Sequence, residues 1–290
     1  MNETINNSER VPKTQTIWVR HIALPQDHGS WVFLLSPLLI GIFAGGSLGV
    51  ASIFLIIAAL SAFLLRQPLT IIVKVYSGRR SRRELPVARF WAVVYALLGL
   101  VSLASLIRQG DTFLLILAIP GAPIFAWHLF LVSRRAERRQ LGVELVGAGV
   151  LAFAAPAAFW VGTGSFDING WWLFLLTWFQ SAASIVYAYL RLEQRQLISK
   201  PKVVNRFRMG WRALFYASFN FIAVISFSLA GILPFWLFIP YLLQLGETCL
   251  GTINPAIKMK PTQIGIRQLI VSLAFTVLFI VAWAAPIMRR

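Results

Sequence analysis

Acidic residues are scarce in this chain, ten in 290 against 27 lysines and arginines. Cysteine is scarcer still: Cys249 stands alone, which excludes an internal disulfide. With only three histidines, no Cys/His cluster has the spacing of a metal site, and no cofactor motif is evident. Charge of either sign amounts to 13% of the residues, about half of what a soluble domain carries. The apolar share is 58%, and a globule of this length, hiding about three quarters of its surface, could not bury it. A soluble single domain is thereby excluded. Gly 20 and Pro 14 are ordinary numbers, so the chain is neither fibrous nor disordered. What remains is a membrane protein.

The basic excess read alone would suggest nucleic acid. In a membrane protein the same excess marks loops on the cytoplasmic side, so no nucleic-acid partner is expected. The long uncharged runs are what the chain has in abundance. No charge appears from Gly29 to Leu65, 37 residues, and a spanning helix takes about 20. That run holds two spans, 29–46 and 47–65, turning at the glycines around Gly45 and Gly49. Seven more are expected at about 86–107, 112–132, 141–163, 171–190, 213–231, 235–253 and 268–286. The expected class is all-α, a polytopic helical bundle of about nine transmembrane helices. Residues 1–28 form a polar N-terminal segment without the pattern of a secretory signal, and 29–290 form one transmembrane domain. Pro120 and Pro123 predict a kink in the fourth span. The apolar stretch 68–75 either prolongs the second span or lies along the interface.

Alternate loops divide the basic residues 24 to 3. The positive-inside bias then places the N-terminus in the cytoplasm and the C-terminus outside, in a bacterial cytoplasmic membrane or, in a photosynthetic cell, a thylakoid. The arginine runs at 79–83 and 134–139 set that orientation and meet anionic lipid headgroups.

Ionisable groups within spans are costly and mark candidate function. Glu247 lies about 18 Å into the eighth span from its outer end, with no basic residue in the neighbouring turns of its own helix. Glu144 lies one turn into the fifth span, where the helix dipole or Arg138 and Arg139 would also account for it. His128 stands near the inner end of the fourth span beside Trp127, a common interfacial arrangement. Asp27, His28 and Trp31 sit at the entrance to the first span, Arg66 and Gln67 leave the second, and Arg191 and Glu193 leave the sixth. All belong to the cytoplasmic half. Converging, they would line a polar cavity with an apolar wall behind it, the shape that takes a lipid or isoprenoid amphiphile.

The run Leu24-Pro25-Gln26-Asp27-His28-Gly29-Ser30-Trp31, with Pro37 and Gly41 following, resembles the opening of the YwiC-like family of bacterial membrane proteins. Arg66-Gln67-Pro68-Leu69 and Leu141-Gly142-Val143-Glu144-Leu145 leading to Ala154-Ala155-Pro156-Ala157 continue the resemblance, as does the stretch from Tyr187 to Arg195. More distantly, nine helices with active loops on the cytoplasmic side look like the UbiA superfamily of intramembrane prenyltransferases. That resemblance implies a cytoplasm-facing cavity for a prenyl diphosphate, held through Mg²⁺ on two Asp-rich loops. The sequence departs there: loop 66–89 has one acid, Glu84, loop 191–212 has one, Glu193, and neither contains Asp. Arginine and lysine could hold an anionic head directly. Three functions stand open at this point: an amphiphile-binding protein with or without an altered transferase activity, a non-catalytic membrane assembly partner, and a small proton-coupled transporter.

Overall fold

The computed structural model describes residues 20–25, 28–136 and 140–285. Eleven α-helices follow one another, with no strand among the described residues: α1 Arg20–Ala23, α2 His28–Gly45, α3 Val50–Tyr76, α4 Leu85–Arg108, α5 Leu115–Ser133, α6 Leu141–Ala152, α7 Ala154–Thr163, α8 Asn169–Gln194, α9 Val203–Leu229, α10 Phe238–Ile253 and α11 Pro261–Ala284. Taking α6 and α7 as one broken rod, seven rods are long and apolar enough to cross a bilayer. The two others of the nine expected spans fall short: Gly29–Gly45 is a shorter apolar helix, and α10 has 16 residues.

Several helices outrun the uncharged stretches that announce them. α9 begins at Val203 and carries Arg206, Arg208 and Arg212 on its first turns, and α11 begins at Pro261, two turns before the expected boundary. Long basic side chains lay their stems along apolar surface and keep their heads in water, so a charge does not end a helix at the interface. α3 likewise continues through Pro68 to Tyr76.

Proline acts where its neighbours allow it. α5 runs as one helix through Pro120 and Pro123. The interruption falls at Phe153, between α6 and α7. Pro156 has no N–H for the carbonyl of Ala152, and its ring crowds that carbonyl. The chain tightens there instead, Phe153 donating to the carbonyl of Val150 at 3.2 Å.

In lipid, helices associate through close packing more than through a hydrophobic force, which favours small residues at the contact. Gly41 and Gly45 of α2 face Ala155, Ala158 and Gly162 of α7. A Cβ at Gly45 would lie 2.9 Å from the Phe159 carbonyl oxygen and 3.0 Å from Gly162 Cα, closer than ordinary van der Waals contact. The α2–α7 seam is the centre of the bundle. α3, α4 and α5 form one group and α8, α9, α10 and α11 another, with α3 packed against α7, α11 against α2, α8 against α7, and α6 packed against both α5 and α8.

α1 closes the end of the α3–α4 hairpin. Ile22 packs with Ile71, Val75, Val87 and Ala88. Gln67 Nε2 donates to the His21 carbonyl at 2.8 Å and Tyr95 Oη to the Ala23 carbonyl at 3.0 Å. At the same end Arg79, in the turn after α3, donates to the Val132 carbonyl at the end of α5. The arginine-rich turns 79–83 and 134–135 therefore share one end of the bundle. At the opposite end Asp111 is buried between α4 and α5, and burial pushes its carboxyl above the ordinary 3.8.

Candidate functional site

Two separate cavities take up three of the residues expected to share one, Arg66 and His128 in the larger and Glu247 in the smaller. The larger, about 450 Å³, lies among α2, α3, α4, α5, α6 and α7. Its wall is built from residues such as Leu34, Leu55, Leu106, Leu117, Phe125 and Ala157. Arg66 and His128 are the ionisable groups in that wall. Leu55 and Arg66 are eleven residues apart on α3, about 16 Å of helix, and Leu114 and His128 fourteen apart, about 21 Å. The cavity thus runs about the depth of one leaflet, half of a hydrocarbon core of about 30 Å. Its polar end is the end that carries the arginine turns.

Local sequence explains that polarity. Trp31 of α2 packs edge-on against Phe63 at 4.9 Å between ring centres, and the Arg66 guanidinium lies 5.8 Å from the centre of the same Phe63 ring. Phe63 is one turn before Arg66, so α3 presents both on one face. The entrance of α2, Arg66 and His128 are brought together in this way. α5, which supplies His128, is the least buried of the long helices, Val132 being its buried residue. Its Gly121 and Ala122 leave room where larger side chains would fill the cavity.

The second place lies among α8, α10 and α11. Arg267 holds Glu247 with two bonds, Nε to Oε1 at 2.6 Å and Nη2 to Oε2 at 2.8 Å, and Tyr187 Oη donates to Oε1 at 2.7 Å. The partner that Glu247 lacks on its own helix comes from α11, because that helix starts early enough to set Arg267, itself exposed, beside Glu247. A bidentate arginine is the strong form of such a pair. Arg191 is buried, 3% exposed, and among the described residues its hydrogen bonds go to no carboxylate. Its Nη1 donates to Gln194 Oε1 at 2.9 Å and to the carbonyls of Gly251 and Asn254 at 2.8 Å each. These carbonyls end α10, where unpaired oxygens and the helix dipole favour a cation. Arg206 Nη1 adds a bond to the Ile253 carbonyl at 2.7 Å. Arg191 is therefore a clamp on α10.

The other expected residues are dispersed. Glu144, exposed on α6, accepts from Tyr189 Oη at 2.7 Å; Arg138 and Arg139, its expected partners, lie outside the described residues. Glu193 is exposed on α8, and Gln67 ties down α1. His28 opens α2, and Asp27 lies outside the described residues. Arg66 and Glu247 line different cavities, which share no lining residue, and α6 and α7 of the larger one pack on α8 of the smaller. Sequence reasoning missed Tyr187, Gln244 and Arg267 as site residues. A signal was present: Gln180 and Ser184, Gln244 and Thr248, and Gln268 and Ser272 are three polar pairs spaced by four, each on one helix face.

The architecture defines a multi-pass α-helical membrane protein with a leaflet-deep apolar cavity among α2 to α7. Residues 24–159 match the YwiC-like protein family. The chain is also similar to Uncharacterized protein YwiC of Bacillus subtilis (strain 168), 26% identical over 215 residues that make up 71% of this chain and 83% of that one. No solved structure matches the chain. All the residues that line the larger cavity, from Leu34 to Ala157, fall within the segment matched to YwiC-like proteins.

Proposed function

We propose that this protein binds an anionic amphiphile, an isoprenoid or lipid with a phosphate-bearing head, in the larger cavity. The observation that carries the reading is the lining: an apolar wall of leaflet depth with Arg66 and His128 at one end. Ligand cavities of about 300–1,000 Å³ are typical for small molecules, and 450 Å³ lies within that range. Arginine suits the head because its planar donors match phosphate oxygens. The net charge of +17 raises the local concentration of anionic ligands at the basic end.

The reading is one of binding, with the head toward the cytoplasm and the arrangement a relative of the UbiA one. Transfer chemistry of the ordinary UbiA kind uses carboxylates to hold Mg²⁺. In this chain Glu84 bonds Arg80 at 2.8 Å, and among the described residues no three His, Cys, Asp or Glu side chains gather as metal ligands would. An altered transferase would have to work on a head held by Arg66 and His128.

The test is lipid extraction and mass spectrometry of the purified full-length protein, followed by binding of a prenyl diphosphate and of phosphatidylglycerol. Wild type should carry an anionic amphiphile enriched over the bulk membrane. Ala59→Phe, which fills the apolar wall, should lose it. Arg66→Gln should weaken binding by about tenfold or more, the worth of one charge-assisted bond. Unchanged lipid content in both variants would sink the proposal.

A further inference from the structure

The polar cluster among α8, α10 and α11 forms a small, partly open recess of about 20 Å³, bordered by Ser184, Tyr187, Gln244, Glu247, Gln268 and Ser272. Its hydrogen bonds can be accounted for atom by atom. Gln244 Nε2 donates to the Gln180 carbonyl at 3.0 Å and to Ser184 Oγ at 3.1 Å, so both its protons are used. Turning that amide over would set its oxygen against a carbonyl oxygen, so the orientation is determined. Gln244 Oε1 is then a buried acceptor without a hydrogen-bond partner among the described residues, on a side chain 6% exposed. Gln268 Nε2 is a buried donor in the same condition.

An unpaired buried donor or acceptor costs about 1–3 kcal/mol, and two such atoms bordering one cavity would compound the cost. The occupant that relieves both must donate to Gln244 and accept from Gln268. A cation cannot accept, and an anion would face Gln244 Oε1 and the Glu247 carboxylate. The space of about 20 Å³ matches one water, which takes roughly 10–15 Å³. We infer that α8, α10 and α11 bind a single water that bridges Gln244 Oε1 and Gln268 Nε2 beside the Glu247–Arg267 pair. The water lies on the side of Glu247 that borders Tyr187, away from the exposed Arg267 guanidinium. The site is separate from the larger cavity and stands whether or not an amphiphile binds there.

X-ray radiolysis of the intact protein in ¹⁸O-water tests this directly. Hydroxyl radicals formed from a bound water oxidise the ring beside it even where bulk solvent is excluded, and Phe275, 1% exposed, lines the cavity. Wild type should incorporate ¹⁸O at Phe275, and the rate should fall about threefold or more in Gln268→Met, which removes the donor that holds the water. No labelling of Phe275 under doses that label exposed Trp211 overturns the inference. Replacing sodium by choline separates a cation from water, because a reversed Gln268 amide would present two oxygens. Thermal stability should be the same in both salts, and a sodium-dependent rise would assign the site to the cation instead. Both measurements on wild type stand even if the variant fails to fold.

Discussion

Replacing Gly41 by alanine adds one methyl group at the α2–α7 crossing, where backbones meet closely. That Cβ would sit 2.8 Å from Ala158 Cβ and closer still to the Ala155 carbonyl oxygen, whereas ordinary contact starts at 3.4 Å. α2 and α7 would have to separate by at least about 0.6 Å, and by more at the carbonyl, across a contact made of backbone that cannot rotate away. Overpacking of this kind costs about 1–3 kcal/mol, and the upper end applies where no flexible side chain can give. Alanine regains about 1 kcal/mol over glycine in helix propensity, leaving a net loss of about 2 kcal/mol. The control is Gly246→Ala in α10, where nothing lies within 4 Å; there the propensity gain should appear alone. Cys249, the single cysteine and half-buried, reports unfolding through a thiol-reactive fluorophore on detergent-solubilised protein. Gly41→Ala should lower the midpoint by several degrees, and Gly246→Ala should leave it unchanged or raise it. Equal midpoints for the two variants would refute the claim that the α2–α7 seam depends on backbone approach.

Two further outcomes follow from single side chains. Arg191→Lys keeps the charge but loses the Nη1 group that reaches Gln194, the Gly251 carbonyl of α10 and the Asn254 carbonyl just past its end. It should cost about 2–4 kcal/mol and speed trypsin cleavage after Lys258, which follows α10; an unchanged cleavage rate would remove the clamp. Asp111 has a raised carboxyl pKa through burial, so the folded protein binds its proton more readily than the unfolded chain does. Its contribution is fully present below the ordinary carboxyl range and is lost as pH rises through the raised folded value. Asp111→Asn should flatten that slope in thermal midpoints taken between about pH 4 and 7, and a slope equal to wild type would exclude Asp111 as its source.

Composition and the spacing of charges by themselves determined that this is a helical membrane protein and roughly where its rods lie. Burial in lipid requires long uncharged runs, and such runs are visible in one dimension. The turn at 45–49 and the polar character of Arg66, His128 and Glu247 are legible for the same reason. Helix ends were legible only where charge and interface coincide; at Val203 and Pro261 basic residues snorkel, and the helix starts earlier than the uncharged run. Proline marked α5 and α7 alike, yet the break falls only before Pro156, because the environment of each freed carbonyl is set by neighbouring helices. Which polar groups meet was decided by tertiary structure alone. Depth puts Arg66, Arg191 and Glu247 in one layer, but the angle of each helix about its axis sends Arg66 to the α2–α7 cavity and Glu247 to Arg267. That angle is set by which small residues let backbones touch, as Gly41 does against Ala155, and such contacts join positions more than a hundred residues apart in the chain.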